Sequence, residues 1–124
     1  MAVKFFKCNH CGNVITKVVD SKVPVVCCGE KMAELVANTE EASVEKHLPV
    51  VNRIDGSKIK VEVGSVPHPM LPEHHIAFIY VENEDGGTRV DLTDKPEAYI
   101  CTCKGEPVAV YEYCNLHGLW KSDL

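Results

Sequence analysis

The sequence predicts a mainly β protein in two parts, a small metal-binding domain followed by an immunoglobulin-like antiparallel β-sandwich. Four of the seven cysteines in the 124-residue chain lie in the first 36 residues, as two close pairs. Short apolar runs separated by turn residues fill the rest, which is typical of a sandwich. The polar segment 38–43 has no periodicity, so we expect domains at 1–37 and 38–124.

The first domain is too short to fold on a hydrophobic core alone, and its cysteines are the obvious source of added stability. Two residues separate Cys8 from Cys11, whereas Cys27 and Cys28 are adjacent and must splay apart to reach one ion, which Gly29 would ease. Three interpretations stay open: a redox-active iron centre with four thiolates, a zinc site that only folds the segment, and thiol pairs without metal.

The second domain contains six predicted strands. Lys58–Val63 alternates polar and apolar residues with a period of two, and Asp55-Gly56 before it predicts a hairpin. Turn residues separate the remaining runs, and 32–37 is a candidate for a seventh strand. The six predicted strands are 50–54, 58–63, 76–82, 88–92, 99–103 and 108–113.

Composition excludes several classes of function. A net charge of −5 without a basic run predicts no nucleic-acid partner, because phosphate binding needs clustered lysine and arginine. The apolar runs are far shorter than the roughly 18 residues of a membrane-spanning helix, so we expect no membrane partner. Lys4 and Lys7 interrupt the N-terminus before a signal-peptide core could form, which favours a cytoplasmic protein.

Five potential metal ligands recur at strand ends and in loops of the second domain. Each histidine alone would be read as a surface residue, but together the five favour a metal centre. Four imidazoles and one thiolate suit iron better than zinc or blue copper, and they leave one position open to a small oxygen species. The five are His47, His68, His74 or His75, Cys114 and His117.

Cys101 and Cys103 lie outside both groups. Residues two apart on a strand face the same side, which predicts buried core thiols, with a regulatory disulfide or an extra metal site as the alternatives. Trp120 is expected to pack in the core or to cover the end of the histidine site.

Five motifs, in order along nearly the whole chain, resemble the desulfoferrodoxin family of two-iron superoxide reductases. The resemblance implies a desulforedoxin-like FeS4 domain and then an immunoglobulin-like domain with a catalytic ferrous site. It also implies superoxide as substrate, a rubredoxin-type electron donor and a homodimer. The motifs are Cys8-x-x-Cys11, Cys27-Cys28, Glu45-Lys-His47, His68-Pro-Met70 and Glu112-Tyr-Cys-Asn-Leu-His-Gly118.

The resemblance also implies the role of each site residue. The family places its third histidine six positions after the one in the His-Pro-Met motif, which selects His74 over His75. Lys46 would attract the anion, and Glu45 would be the carboxylate that occupies the open position after the product leaves. The four equatorial ligands would be His47, His68, His74 and His117, with Cys114 as the axial ligand.

The expected function is therefore one-electron reduction of superoxide to hydrogen peroxide. An FeS4 electron carrier, with the sandwich as a docking module, is the alternative from another class. A zinc protein with an interaction sandwich is the third interpretation. The histidine group argues against both rivals, because neither needs it.

Overall fold

The computed structural model of the chain describes residues 2–103 and 105–124, whose regular secondary structure is nearly all strand. The chain forms two compact units, Met1–Val36 and Ala37–Leu124, which meet one residue before the expected boundary. Within the described residues the helical structure is α1 (Val44–His47), a single turn, so none of the described helices is long and apolar enough to span a membrane.

The first unit consists of five strands of two residues each. In the part of this unit that the structure describes, only Phe5 and Cys8 are buried, because strands this short cover little surface. One sheet has the order β2-β1-β5, and β3 pairs with β4 as a hairpin. The strands are β1 (Phe6–Lys7), β2 (Val14–Ile15), β3 (Val26–Cys27), β4 (Glu30–Lys31) and β5 (Ala33–Glu34).

The second unit is an antiparallel sandwich, which confirms the predicted fold class. A three-stranded sheet has the order β10-β7-β6, and a four-stranded sheet has the order β12-β11-β8-β9. All six predicted strands are present; the strand at 58–63 has the predicted ends, and the other five have shifted ends. The strands are β6 (Pro49–Asp55), β7 (Lys58–Val63), β8 (Ile76–Asn83), β9 (Gly86–Asp91), β10 (Glu97–Cys101), β11 (Ala109–Cys114) and β12 (Gly118–Asp123).

The core lies between these sheets. The alternation in β7 turns Ile59, Val61 and Val63 inward, each at most 1% exposed, and leaves the lysines on the outer face. Residues of β8, β10 and β11 complete the core: Ile76, Ile79, Val81, Ala98, Ile100, Val110 and Cys114. Because this core holds the strand ends rigidly, it also fixes the residues that follow them.

Three expectations for strands and connections need correction. Segment 32–37 does not join the sandwich, because it contributes β5 to the first unit. Strand β12 was not predicted; its buried Leu119 and Trp120 are adjacent, which hides the two-residue alternation. The expected connection 38–43 is anchored in the second unit, where the Asn38 N–H donates to the Leu119 carbonyl at 3.0 Å.

The prediction of buried core thiols at Cys101 and Cys103 is wrong. Both residues are exposed, and a disulfide joins them. The physical reason is that β10 ends at Cys101, so Cys103 lies in a turn and not on the same strand face.

Candidate metal centres

The four cysteines of the first unit come together as one group, with their sulfur atoms all within 4.8 Å of one another. The Cys11 and Cys27 sulfurs are 3.6 Å apart, and those of Cys27 and Cys28 are 4.0 Å apart. In a tetrahedral site with metal–sulfur bonds of about 2.3 Å, neighbouring sulfurs lie roughly 3.8 Å apart. The group therefore has the dimensions of a four-thiolate metal site.

The local backbone explains how two adjacent cysteines reach one ion. Cys28 has a left-handed φ of 53° and Gly29 a left-handed φ of 76°, so the chain reverses directly after Cys27. Such a conformation is unfavourable for a residue with a Cβ atom, and it persists where the surroundings hold it. Tetrahedral ligation by both sulfurs is a constraint of that kind.

The thiols of this group influence one another strongly. Backbone N–H groups of Cys11 and His10 lower the pKa of Cys8 to about 6. Hydrogen bonds with the neighbouring thiols raise the pKa of Cys28 to about 12. Four sulfurs this close cannot all ionise unless a cation offsets their charges, which fits a bound metal ion.

In the second unit, four histidines and one cysteine converge in the same way. Their ligand atoms all lie within 4.8 Å of one another. Each residue stands where a regular element ends: after one helical turn, in the loop between β7 and β8, at the end of β11, or in the turn before β12. The five residues are His47, His68, His74, Cys114 and His117.

Backbone carbonyls orient two of the imidazoles. Nδ1 of His47 donates to the Ser43 carbonyl at 2.7 Å, and Nδ1 of His68 donates to the Pro69 carbonyl at 2.7 Å. A carbonyl only accepts, so both Nδ1 atoms carry the proton and both Nε2 atoms carry a lone pair. Burial lowers the pKa of His47 and lowers that of His68 to about 4, which keeps both rings neutral at pH 7.

The arrangement of these lone pairs suits a bound cation. The Nε2 atoms of His47 and His68 face each other at 3.2 Å, and Nδ1 of His117 lies 3.2 Å from Nε2 of His47. Nε2 of His74 is buried with no hydrogen-bond partner among the described residues. Nitrogens bound at about 2.1 Å and at right angles lie roughly 3.0 Å apart, so the group fits a single metal ion.

Cys114 supplies the sulfur of this group. It is fully buried, and its Sγ lies 3.5 Å from Nε2 of His68 and 3.8 Å from Nδ1 of His117. Burial raises the pKa of the thiol, whereas the N–H groups of Leu116 and His117 act in the opposite direction. A metal cation would hold it as the thiolate at neutral pH.

The loop that carries His74 and His75 directs only the His74 ring into the group. Leu71 and His74 exchange two backbone hydrogen bonds, of 2.9 and 3.1 Å. The His75 ring instead donates from Nδ1 to the Leu71 carbonyl at 3.0 Å, outside the group. Asn115 links this loop to β11 through its amide, accepting from His75 N–H at 2.8 Å and donating to the Glu73 carbonyl at 3.0 Å. Its position beside Cys114 was the only sequence signal for this positioning role.

Glu45 and Lys46 lie exposed on α1, directly before His47. Burial is the main cause of the lowered pKa of His74, and the charge of Lys46 adds to it, so the ammonium lies within electrostatic reach of the group. The backbone of Gly64 packs against this turn: a Cβ there would lie 2.6 Å from the Lys46 carbonyl carbon. Since Gly64 also has a left-handed φ of 65°, no other residue fits easily.

Trp120 contacts two of the site residues. The Trp120 ring stacks on His47 with centroids 5.0 Å apart, and its Nε1–H donates to the His117 carbonyl at 3.0 Å. Trp120 is thus buried and also supports two site residues.

Glu112 lies two residues before Cys114 on β11. Glu112 is fully buried with both carboxyl oxygens unpartnered among the described residues, and burial raises its pKa to about 9. Sequence reasoning gave no sign of this neutral acid.

The chain is similar to known proteins in both sequence and structure. A desulfoferrodoxin from Syntrophotalea carbinolica is 42% identical over 98% of this chain and 96% of its own. A superoxide reductase from Pyrococcus abyssi is 36% identical over 64% of this chain and 86% of its own. The crystal structure of the superoxide reductase from Treponema pallidum superposes with a TM-score of 0.81 at 32% identity, covering 99% of this chain and 100% of that one. Residues 39–123 match the family model described as Desulfoferrodoxin, and the chain therefore belongs to the desulfoferrodoxin family.

Proposed function

We propose that this chain is a superoxide reductase, which adds one electron and two protons to superoxide and releases hydrogen peroxide without evolving oxygen. The observation that carries the proposal is the convergence of four imidazoles and one thiolate in the second unit. The relatives named as superoxide reductases support it. An electron carrier or a structural zinc protein has no need of a second group of this kind.

The proposal assigns one iron ion to each group. When bound in its ferrous state by the second group, iron supplies the electron for superoxide, and a thiolate ligand strengthens that donation. Five protein ligands would leave room at the ion for a small anion. The first ion is assigned to Cys8, Cys11, Cys27 and Cys28, and the second to His47, His68, His74, Cys114 and His117.

Lys46 and Glu45 are the proposed catalytic residues. The Lys46 ammonium gives the mouth of the site a local positive potential, which draws in an anion although the chain carries a net charge of −5. A water held by Lys46, or bulk solvent, supplies the two protons to the leaving peroxide. Glu45 would offer its carboxylate to the bound ion once the product has left. Both side chains are exposed on α1, directly before His47, which supports these roles.

The wider setting belongs to the same proposal. We infer a cytoplasmic homodimer that detoxifies superoxide under oxidative stress and receives electrons from a rubredoxin-type donor. Exposed valines of the first unit support dimerisation, because burying them would stabilise a unit with little core of its own. Val18 and Val19 are 98% and 85% exposed. Domains at 1–37 and 38–124 remain the proposed functional division.

The decisive experiment pulses superoxide into the fully reduced, iron-loaded protein and counts the peroxide formed. We expect one peroxide for each superoxide consumed, with iron oxidised in step. Half that yield with oxygen released would indicate dismutation instead. Superoxide decay no faster than in buffer would exclude superoxide reduction and favour an FeS4 electron carrier.

A pair of cysteine variants locates the chemistry. Cys114→Ser should abolish peroxide formation while the absorption of the first centre stays intact, because only the second group loses a ligand. Cys101→Ser is the matched control, since it removes a cysteine sulfur outside both groups, and its turnover should equal that of the wild type. Turnover retained by Cys114→Ser would contradict the axial assignment.

A further inference from the structure

The disulfide between Cys101 and Cys103 has no part in either metal group. Cys101 is the last residue of β10, which is an edge strand of the three-stranded sheet. It pairs with Lys58 at the start of β7, whereas the N–H of His68 bonds to the carbonyl of Val63 at the other end of that strand. The disulfide and the histidine group therefore lie toward opposite ends of β7.

The local structure does not depend on this disulfide. Five register pairs bind β10 to β7, and the Thr102 N–H donates to the Ser57 carbonyl at 2.8 Å. The Gly105 N–H then closes the turn on the Thr102 carbonyl at 3.2 Å. A bond that closes a loop of three residues also restricts the unfolded chain very little. The disulfide is thus a poor structural brace for this fold.

The exposure of this disulfide and the polar groups around it instead suit thiol–disulfide exchange. Both cysteines are exposed, and exposed disulfides are the labile, regulatory or catalytic ones. The Cys103 N–H donates to the Cys101 sulfur at 3.2 Å. Lys58 stands directly opposite Cys101, so its cation shares a face with that sulfur. The Asp55 carboxylate accepts two hydrogen bonds from Ser57 and keeps its negative charge. Lys58 lies opposite Asp55 on one side and opposite Cys101 on the other.

We propose that Cys101 and Cys103 form a redox-active disulfide that accepts two electrons and two protons from a small protein dithiol. The thiolate of the donor attacks Sγ of Cys103, the S–S bond breaks, and Cys101 leaves as the thiolate stabilised by Lys58 and the Cys103 N–H. The second thiol of the donor then attacks the donor's first sulfur in the mixed disulfide, which releases Cys103. The donor ends as a disulfide, and its two protons end on Cys101 and Cys103.

Trypsin provides a direct assay, because cleavage after Arg89 and Lys104 releases a peptide that contains only these two cysteines. Lys95 precedes proline, so trypsin leaves the peptide whole. The folded, iron-loaded protein is mixed with an equal amount of reduced thioredoxin, alkylated with N-ethylmaleimide and digested. We expect no label before thioredoxin and two labels within minutes after it. Two labels at the start, or no label until the protein is unfolded, would overturn the proposal.

Single variants test which of the two sulfurs leaves as the thiolate. The thiol left in Cys103→Ser should alkylate about tenfold faster at pH 7 than the thiol left in Cys101→Ser, because only Cys101 has the cation and the N–H donor. Lys58→Gln should slow reduction by thioredoxin about threefold, with Lys95→Gln as the control that leaves the rate unchanged. Equal or reversed alkylation rates would overturn the assignment of Cys101 as the leaving thiolate.

The inference stands apart from the proposed function. The double variant Cys101→Ser/Cys103→Ser should form peroxide from superoxide at the wild-type rate while its peptide takes no label under any condition. A lower peroxide yield in this variant would contradict the separation of the disulfide from the histidine site.

Discussion

The two units of this chain hold their metal groups in opposite ways. The first has strands of two residues and only Phe5 and Cys8 buried among its described residues. The second has a contiguous core between two sheets. They also differ in charge: residues 1–36 carry five lysines and three acidic residues, whereas residues 37–124 carry eight basic and fifteen acidic residues. In the first unit the metal completes the fold, and in the second the fold presents the metal.

Removing iron with a chelator should show the largest difference between the two units. We expect amide signals of the first unit to collapse to unfolded positions while those of the sandwich stay dispersed, as measured by NMR. A structural site of this size contributes on the order of 10 kcal/mol to folding. Cys8→Ser should reproduce the collapse and Cys101→Ser should not. A metal-free first unit with dispersed signals would break the comparison.

Gly64→Ala should weaken the second unit through its packing rather than its metal. The added Cβ meets the backbone of Lys46, and alanine must adopt the left-handed φ that glycine has here, which together should lower the free energy of unfolding by about 2–4 kcal/mol. Urea unfolding monitored by Trp120 fluorescence measures this loss. Gly56→Ala is the control, since its Cβ meets nothing within 4 Å. Equal losses in both variants would show that this close approach is unimportant.

The buried acid of the sandwich predicts a pH effect. Burial raises the pKa of Glu112 from 4.5 to about 9, so between these values the folded state holds a proton that the unfolded state has lost. Its contribution to stability is therefore present below pH 4.5 and is lost as pH rises toward 9, by up to about 1.4 kcal/mol per pH unit.

Glu112→Gln removes this titration and keeps the shape of the side chain. Its unfolding free energy should fall less steeply with pH than that of the wild type, with the exposed Glu41→Gln as the control. Parallel pH profiles for Glu112→Gln and the wild type would mean that the carboxyl ionises as easily in the folded protein as in the unfolded one.

Lys46→Ala should have the smallest effect, on rate and not on stability. Loss of the cation should slow the second-order reaction with superoxide by about threefold to tenfold and flatten its dependence on ionic strength. Stopped-flow or pulse-radiolysis rates at several salt concentrations measure both. Lys58→Ala, which removes the same charge at the far end of β7, should leave the rate unchanged. An unchanged rate in Lys46→Ala would remove this residue from the mechanism.

Periodicity and motif spacing could predict much of this molecule. The alternation over 58–63 identified β7, and the motif resemblance selected the residues that the structure brings into two groups. What could not be predicted depends on tertiary context. The end of β10 decides that Cys101 and Cys103 are exposed, and the fold around β11 decides that Glu112 is fully buried. Local sequence contains neither fact.

The carbonyl bonds to the Nδ1 atoms of His47 and His68 have a consequence for maturation of the protein. The neighbouring backbone holds each ring in one tautomer, so this part of the metal site in the second unit is formed before an ion binds. The first unit buries only Phe5 and Cys8 among its described residues, so it depends on its ion to hold the four cysteines in place. The first ion must therefore be inserted while the polypeptide folds, whereas the second can be loaded, lost and replaced in the finished protein.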